Sequence, residues 1–429
     1  MSQPAKTIKD AYRASELKPL AGDDDRYVDC SEARAAQTVS KLQSLLELRG
    51  GDRFATVAFT GHRGCGKSTE LLRLKERLRG RYHVIYFAAN DDLDVNDLAY
   101  SDLFLAVAKR VEEALRNDMK FPLDHRLLQD IEQWFMTVTK ETQQTVDLSV
   151  GLGTEASAGG QIPFFAKLLG KLTSDIKAGS QRKVTLRQEL DNYISGLIDS
   201  TNRLLDDAVA KIKSHTSCAD LLVIIDNIDR VPVERSESLF FDHADHLKQV
   251  RCNVIYTMPI SILHAGRNIQ NFFGENYDVL PMIKTHFKEG GPYLDGRQCL
   301  EQLVAQRISI SDVFEGPDVV DDLVAMSGGC VSQLLQCIRS ACIEALANGK
   351  VKIDQATAEL SVKKVQFSFE RTLPKEYYTL LAGTHVTKDV DITGPYKNML
   401  YNLAILRIQR RGPLERRKPG DHPHRSVPG

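Results

Sequence analysis

Nine consecutive residues near the start of the chain could bind phosphate. The stretch GHRGCGKST, Gly61 to Thr69, matches the pattern G-x-x-x-x-G-K-[ST], and its glycines can point successive N–H groups inward. Lys67 would reach the β- and γ-phosphates, the Ser68 hydroxyl would reach Mg²⁺, and Thr69 would lie nearer the α-phosphate. The candidate nucleotide-binding residues of the loop are Gly61, His62, Arg63, Gly64, Cys65, Gly66, Lys67, Ser68 and Thr69.

A carboxylate at the end of an apolar run could hold the metal. In LLVIIDNIDRV (221–231), five apolar residues precede Asp226. A charge in that position is costly unless it has a partner. We therefore expect Asp226 to hold the Mg²⁺ shell through water, opposite Ser68.

The residues that follow Asp226 do not show which side chain would act as the catalytic base. Asn227 cannot accept a proton as a base, although its amide can orient water or contact a γ-phosphate. Asp229, two residues later, either serves as the surrogate base or has a structural role. Arg230 either reaches the γ-phosphate of a neighbouring molecule or pairs with a surface acid.

Two more side chains could act at the same site. In the run NVIYTMP (253–259) the strand is expected to end at Thr257, which would either sense the γ-phosphate or pack in the core with its hydroxyl satisfied. Cys65 lies beside a helix N-terminus and Lys67, a setting that lowers the pKa of a thiol. It is either a reactive thiol, which N-ethylmaleimide would block unless ATP protects it, or an unreactive spacer.

These residues need a parallel α/β sheet to bring them together. Strands are predicted at 54–61, 82–90, 221–226 and 252–259, and helices at 31–50, 67–80 and near 236–249. A strand, loop, helix and strand in succession predict a phosphate-binding α/β core.

The rest of the chain divides by pattern. We expect an N-terminal segment and lead helix (1–50), a core (51–290) with a mostly helical insert at about 97–215, a helical lid (291–365), a partial winged-helix-like domain (366–406) and a tail (407–429). Within the insert, 148–172 is either a flexible segment followed by a core helix or an amphipathic segment that binds a partner or membrane surface. The Arg- and Pro-rich tail is either a basic disordered arm or the product of a frameshift.

Composition excludes some classes of protein. The 429 residues are 42% hydrophobic, enough for a sizeable core, and 56 basic side chains balance 57 acidic ones, so net charge favours no nucleic-acid surface. The eight cysteines form no CxxC pair, and we expect free thiols in a reducing cytoplasm. Neither a secretory signal nor a membrane-spanning apolar run is found, which also predicts a cytoplasmic protein.

Three motifs resemble those of AAA+/STAND-type P-loop ATPases, near the initiator (origin-recognition-like) and KAP groups. They are GHRGCGKST, IIDNIDR and SGGCVSQLLQCIRSA (327–341), within a resemblance that covers roughly 25–365. The resemblance implies ATP and Mg²⁺ as cofactors. Initiators carry D-E-x-D and KAP proteins D-D-x-D-R at the acidic motif, so Asn227 departs from both, which puts fast hydrolysis in doubt but not binding.

The resemblance also implies residues outside the loop. Tyr27 and Val28, in RYVD (26–29), are similar to the segment that covers adenine in such ATPases. In related lids a Gly-Gly turn precedes a sensor arginine or proline by about three residues, but here Gly328-Gly329 leads to Ser332. Arg339, two turns further on, either substitutes for that arginine or is solvated.

Three functions fit these features. The first is an ATP-driven switch that hydrolyses slowly and reports its state to an effector or signalling protein, as in bacterial antiviral defence. The second is a DNA-associated loader of the initiator or transposition type, which would contact DNA through the C-terminal domain. The third is a nucleotide-binding scaffold without catalysis. A homo-oligomer is compatible with each.

Overall fold

Five strands form one parallel sheet in the order β2–β3–β4–β1–β5. The computed structural model describes residues 3–48, 54–140, 170, 173–175, 177, 181–371, 373–391 and 394–406. The strands are β1 Thr56–Gly61, β2 Tyr82–Ala88, β3 Asp220–Asp226, β4 Asn253–Met258 and β5 Tyr277–Leu280. The sheet confirms the predicted P-loop α/β fold class, and β5 is a strand that the sequence pattern did not predict. Most of 148–172 and all of the tail 407–429 lie outside the described residues.

Nineteen helices in the described ranges surround or extend this sheet. They are α1 Ile8–Ala14, α2 Ser31–Arg34, α3 Thr38–Glu47, α4 Lys67–Arg77, α5 Ala89–Asp92, α6 Tyr100–Glu113, α7 His125–Lys140, α8 Gln181–Asn192, α9 Ile194–His215, α10 Val233–Glu237, α11 Ala244–Leu247, α12 Gln270–Phe273, α13 Leu294–Ala305, α14 Ile310–Val313, α15 Pro317–Met326, α16 Val331–Ala347, α17 Gln355–Glu370, α18 Tyr377–Thr387 and α19 Gly394–Tyr401. None of the helices in these ranges is long and apolar enough to cross a membrane.

The strands are buried on both faces because their side chains alternate between two helical layers. On β3, Leu221, Val223 and Ile225 pack in one cluster with α6 and α9. The intervening residues Leu222 and Ile224 pack in the other cluster with α3 and α4. Two of the helices expected in an insert, α6 and α9, therefore form one layer of the core itself.

Two predicted helices are interrupted, and the interruptions have local causes. The lead helix breaks at Ala35, which has a left-handed backbone (φ 53°), and α3 begins only at Thr38. The helix expected near 236–249 contains a wider turn at Ser238–Asp242 between α10 and α11. Because of the first break, Arg34 is the last residue of α2, and the contacts of its side chain are described below.

A third hydrophobic cluster, separate from the two on the faces of the sheet, joins the N-terminal helix to the lid. Ile8 and Ala11 of α1 pack among α13, α15, α16 and α17. Cys30 and Cys299 form a disulfide between the N-terminal segment and α13. This pairing corrects the expectation of eight free thiols, and the other six cysteines are free.

The C-terminal helices lie on the core. Met399 and Leu400 of α19 are fully buried in a cluster with Ile260, in a helical turn that follows β4. The described residues of 366–406 contain the end of α17 and the helices α18 and α19, without the strands of a wing. The winged-helix-like domain therefore stays a prediction, but the helices expected there are present.

A buried ion pair connects α8 to the core, and its loss should be costly. Arg187 donates from Nε to Asp102 Oδ1 at 3.0 Å and from Nη1 to Asp97 at 2.9 Å, and the Asp102 side chain has no exposed surface. Burial raises the pKa of Asp102, which Arg187 opposes. We expect Arg187→Met to lower the free energy of unfolding by about 3–5 kcal/mol, because it leaves Asp102 buried and unpaired.

Urea denaturation followed by circular dichroism would measure this change. Arg203→Met is the matched control, since Arg203 pairs with Asp130 on the surface and both side chains are more than half exposed. Its effect should stay within about 0.5 kcal/mol. Equal effects of the two substitutions would contradict the prediction.

Candidate functional site

The phosphate loop joins the end of β1 to the start of α4. Gly64 and Gly66 have left-handed backbones (φ 74° and 107°), a conformation that favours glycine and lets the loop curl back on itself. The helix then begins at Lys67, so its first N–H groups point towards the curled loop. The loop has the geometry of an anion-binding nest, as the motif predicts.

Lys67 is held at the centre of this loop by three oxygens. Its Nζ donates to the carbonyls of Gly61 and His62, both at 2.8 Å, and lies 2.8 Å from Asp229 Oδ2. Both side chains of the ion pair are less than a tenth exposed. Burial alone would lower the pKa of Lys67, but the Asp229 carboxylate more than offsets this, so the pKa lies above its ordinary value. Lys67 is therefore a fully charged, buried cation.

Asp229 reaches Lys67 because the chain turns back immediately after β3. Asn227 has a left-handed backbone (φ 63°), which asparagine tolerates better than most residues, and it starts a 3₁₀ turn at Ile228–Arg230. The turn is fixed from β4, since the Ile228 N–H donates to the Thr257 hydroxyl at 3.0 Å. The second acid thus lies at the phosphate end of the site, although it is displaced along the sequence.

Thr257 uses its hydroxyl on the backbone. Besides accepting from Ile228, it donates to the Ile225 carbonyl at 3.3 Å, and the residue is fully buried. Of the two roles considered from the sequence, this contact pattern matches the satisfied core hydroxyl. Any influence on nucleotide would act through the turn that carries Asp229.

Asp226 and Ser68 are joined by a residue that the motifs did not indicate. The Tyr86 hydroxyl donates to Asp226 Oδ2 at 2.6 Å, and the Ser68 side chain lies close enough to lower the pKa of Tyr86. Burial, and then the Asp226 carboxylate, raise the pKa of Tyr86 far above its ordinary range, so the phenol keeps its proton. The two residues assigned to the metal therefore face each other across one hydroxyl.

The oxygens at this point suit a magnesium ion that also contacts phosphate. Within the described ranges, no three His, Cys, Asp or Glu side chains cluster in a way that could hold a metal. Asp226 and Ser68 supply hard oxygen donors, and Mg²⁺ is usually bound by one or two carboxylates together with substrate phosphates and water. The residues fit Mg²⁺ that arrives with a nucleotide.

Asn90 connects the insert to the turn at Ile228–Arg230 that carries Asp229, called the acid turn below. Its Oδ1 accepts from Asn227 Nδ2 at 2.6 Å, and its carbonyl accepts from Lys177 Nζ at 3.0 Å. Asn90 follows β2, the neighbour of β3. Since carboxyl ends of parallel strands meet at one edge, its position could have been predicted from the sequence had β2 been placed beside β3.

Arg34 supports the phosphate loop from behind and was also missed. Its guanidinium donates to the Cys65 carbonyl at 2.6 Å and to the Pro281 carbonyl at 2.5 Å. The residue is buried, and no motif surrounds it in the sequence. By holding the Cys65 carbonyl outward, Arg34 helps to keep the loop's N–H groups turned inward.

The lid contacts the loop directly at the place where an arginine was expected. The Ser332 N–H donates to the Gly64 carbonyl at 3.1 Å, and Cys330 Sγ lies 3.8 Å from the Arg63 carbonyl. Arg339 is elsewhere: its guanidinium stacks 3.9 Å from the Tyr12 ring centre and donates to the Tyr12 carbonyl. It therefore holds α1 and does not substitute for the missing arginine.

The candidate adenine-side residues lie between α4 and the lid. The Tyr27 hydroxyl donates to Glu70 at 3.2 Å, and its ring packs 3.6 Å from the Arg73 guanidinium. Val28 packs against the hydrophobic cluster that joins α1 to the lid helices. The Thr69 hydroxyl accepts from the Leu20 N–H at 3.2 Å, so it holds the N-terminal segment against α4.

The burial of Cys65 and the exposure of Arg230 bear on the alternatives that the sequence left open for these two residues. The Cys65 thiol is fully buried in the cluster beneath the loop, so a maleimide could not reach it, and the unreactive alternative fits better. The Arg230 side chain is exposed, while its carbonyl accepts hydrogen bonds from Arg63 and Tyr401.

The sheet order, the loop between β1 and α4 and the acid at the end of β3 are those of a P-loop α/β fold, the fold class that the motifs predicted. No protein-family model and no curated protein matches the chain. Solved structures similar to it include Cdc6p from Pyrobaculum aerophilum, with 12% identity, a TM-score of 0.42 and coverage of 93% of this chain and 84% of that chain. The Walker-type ATPase paby2304 of Pyrococcus abyssi has 13% identity, a TM-score of 0.42 and coverage of 91% and 93%.

A third similar structure is the ORC1 protein of Aeropyrum pernix in complex with DNA. It has 13% identity and a TM-score of 0.41, with coverage of 93% of this chain and 83% of that chain. Likenesses at these values describe the arrangement of elements only. The chemistry of the site therefore rests on its own contacts.

Removing Asp229 should strengthen nucleotide binding while it weakens the nucleotide-free fold. In Asp229→Ala, nucleotide phosphate no longer competes with a carboxylate for Lys67. We expect ADP to bind on the order of tenfold tighter, or about 1.4 kcal/mol, by isothermal titration calorimetry. The nucleotide-free variant should lose about 3 kcal/mol of stability, because a buried cation loses its partner.

Glu234→Ala is the matched control for this experiment. Glu234 is an exposed acid in α10, five residues further along the chain. Its loss should leave both quantities unchanged. If Asp229→Ala binds ADP more weakly than the control does, the ion pair does not compete with phosphate.

Gly64 should tolerate no side chain. A Cβ at this position would overlap the Ser332 hydroxyl, and the backbone at φ 74° costs about 1–2 kcal/mol for an L-residue. We expect Gly64→Ala to weaken ADP binding on the order of tenfold. Adding Ser332→Gly should restore part of the loss, since it relieves the overlap but not the backbone. Unchanged affinity in Gly64→Ala would contradict the close fit of lid and loop.

Proposed function

We propose that this chain is an ATP-binding switch ATPase that hydrolyses ATP slowly and couples its nucleotide state to a protein partner. The observation that carries the proposal is the 2.8 Å ion pair between Lys67 and Asp229. It places a carboxylate next to the lysine that such loops direct at the β- and γ-phosphates. The candidate base Asp229, the phosphate loop and the two candidate metal-binding residues, Ser68 and Asp226, then lie at one edge of the sheet.

Binding begins with an exchange of partners at Lys67. The phosphates enter the nest formed by the loop and the start of α4, and Lys67 turns from Asp229 to the phosphates. Tyr27 and Val28 would then border the adenine from the N-terminal side. Because the ion pair must separate first, binding carries a built-in electrostatic cost.

Hydrolysis would use the Asp229 carboxylate, which is free of Lys67 once the lysine has turned to the phosphates. Asp229, released from Lys67, faces the γ-phosphate and can accept a proton from the attacking water as a general base. The amide of Asn227 can orient that water but cannot take its proton. Since the base lies two residues further on than in related motifs and returns to Lys67 when phosphate leaves, we expect slow turnover.

The metal side has three residues with separate tasks. Ser68 and Asp226 would hold Mg²⁺, directly and through water, and Tyr86 orients the Asp226 carboxylate. When bound, Mg²⁺ neutralises charge that develops on the phosphate oxygens. Thr257 keeps the Asp229 turn in register from β4.

Coupling to a partner would use the lid and the insert. Ser332 and Cys330 contact the loop at Gly64 and Arg63, so phosphate in the loop changes what the lid packs against. Signalling, with antiviral defence as one case, is the setting that the sequence resemblance favours. An effector as a separate chain, a homo-oligomer and a cytoplasmic location belong to the same proposal.

Turnover and binding should separate among variants at the site. Steady-state ATPase assays with parallel ADP titrations would compare the wild type with Lys67→Ala, Asp226→Asn and Asp229→Asn. We expect slow turnover in the wild type and loss of binding in Lys67→Ala. Asp229→Asn should bind nucleotide but lose turnover by a factor of about 10²–10⁴, the usual contribution of a general base.

The other outcomes point to the alternatives. Binding without turnover in the wild type would favour the scaffold. Full turnover in Asp229→Asn would exclude Asp229 as the base. Salt-dependent duplex binding that ATP strengthens would favour the DNA-associated loader. Asp226→Asn should raise the Mg²⁺ concentration required for activity, whereas Glu234→Ala should change none of these quantities.

A further inference from the structure

The C-terminal helix α19 is anchored on the core beside the acid turn. Its apolar face buries Met399 and Leu400 against Ile260, and Lys397 Nζ lies 2.5 Å from Glu237 in α10. Beyond the helix, Leu406 packs against the core cluster that lies under the phosphate loop. The helix and the residues that follow it are therefore held on the core at more than one place.

Tyr401, the last residue of α19, contacts both the acid turn and the phosphate loop. Its hydroxyl donates to the Arg230 carbonyl at 2.6 Å. The Arg63 guanidinium lies 4.0 Å from the centre of its ring and donates from Nη2 to the same carbonyl at 3.2 Å. One backbone oxygen thus receives hydrogen bonds from the C-terminal helix and from the loop.

That oxygen belongs to the residue after Asp229. The turn that carries Asp229 is therefore fixed at two points, at the Ile228 N–H by Thr257 and at the Arg230 carbonyl by Tyr401 and Arg63. The first point belongs to the sheet, because Thr257 lies in β4. The second depends on a helix that is docked from outside the sheet.

We propose that Tyr401 is a positioning residue of the hydrolytic site, so that docking of α19 sets the position of the Asp229 turn relative to the phosphates. This inference rests on the proposed function, in which Asp229 is the base. Arg63 bridges Tyr401 and the loop, so movement of the loop on phosphate binding is transmitted to α19. The C-terminal helix is thereby part of the active site, and a partner that displaces it would change turnover.

The test uses full-length Tyr401→Phe, which removes the hydroxyl and keeps the ring on Arg63. We expect kcat to fall on the order of 5-fold, as for the loss of one hydrogen bond, while KM changes less than about twofold. Hydrogen exchange of the 228–231 turn should accelerate by a similar factor in the nucleotide-free protein, because the Arg230 carbonyl loses a donor. Tyr401→Leu, which also removes the stack on Arg63, should have larger effects on both.

Tyr378→Phe is the control, since Tyr378 lies exposed on the neighbouring helix α18. It should change neither kcat nor the exchange of the turn. Thermal melting of each variant verifies that the fold is intact. A double-mutant cycle of Arg63→Gln with Tyr401→Phe should be non-additive, because the two side chains share one acceptor.

The outcomes separate this inference from the proposed function. Unchanged exchange of the turn in Tyr401→Phe would overturn it, and so would faster exchange with an unchanged kcat. If the wild type has no turnover, the proposed function fails. The exchange measurement then decides alone whether Tyr401 positions the turn.

Discussion

The site is organised around one buried positive charge. Lys67 is almost completely removed from water, and a cation in that position needs fixed oxygens around it. Two are the carbonyls of Gly61 and His62 in its own loop, and the third is the Asp229 carboxylate. The curl of the loop, the reversal after β3 and the supports behind both serve this arrangement. In the proposed function the same arrangement sets the order of events, because phosphate that binds Lys67 takes the place of Asp229.

The supports behind the loop and the turn come from distant parts of the chain. Arg34 holds the loop carbonyl from the N-terminal side, Ser332 meets Gly64 from the lid, and Tyr401 meets the acid turn from the C-terminal side. Each of these is a hydrogen bond to a backbone carbonyl, and of the three only Arg34 also brings a charge, its guanidinium, close to the loop. They determine geometry, and the charged residues determine chemistry. Changes in distant segments can therefore alter the geometry of the site without touching a residue of either motif.

Much of the core could be predicted from the sequence because its signals are local. The loop pattern, the apolar run before Asp226 and the strand–helix alternation each lie within a short window, and the sheet has the predicted type. The position of Asp229 needed one further step, since Asn227 is a residue type that accepts a left-handed backbone. Strand β5 has only four residues, and its short run carries a weak signal.

The remaining residues of the site could not be predicted from the sequence, for a physical reason. Arg34 and Tyr401 act through contacts with residues far away in the chain, and no spacing rule relates them to the site. Tyr86 looked like one more aromatic residue in a strand. The disulfide joins cysteines separated by 269 positions, and nothing in a single sequence chooses between eight cysteines as partners. Such contacts follow from the whole fold.

That disulfide also limits which parts of the chain can move apart. Cys30 directly follows the segment that contains Tyr27 and Val28, and Cys299 lies in the lid helix α13. The bond ties this segment to that helix, and the hydrophobic cluster that joins α1 to the lid acts in the same direction. The segment also contacts α4 through the Tyr27–Glu70 and Leu20–Thr69 hydrogen bonds. A movement of the segment and lid away from α4 would therefore have to break these two hydrogen bonds, with or without reduction of the disulfide.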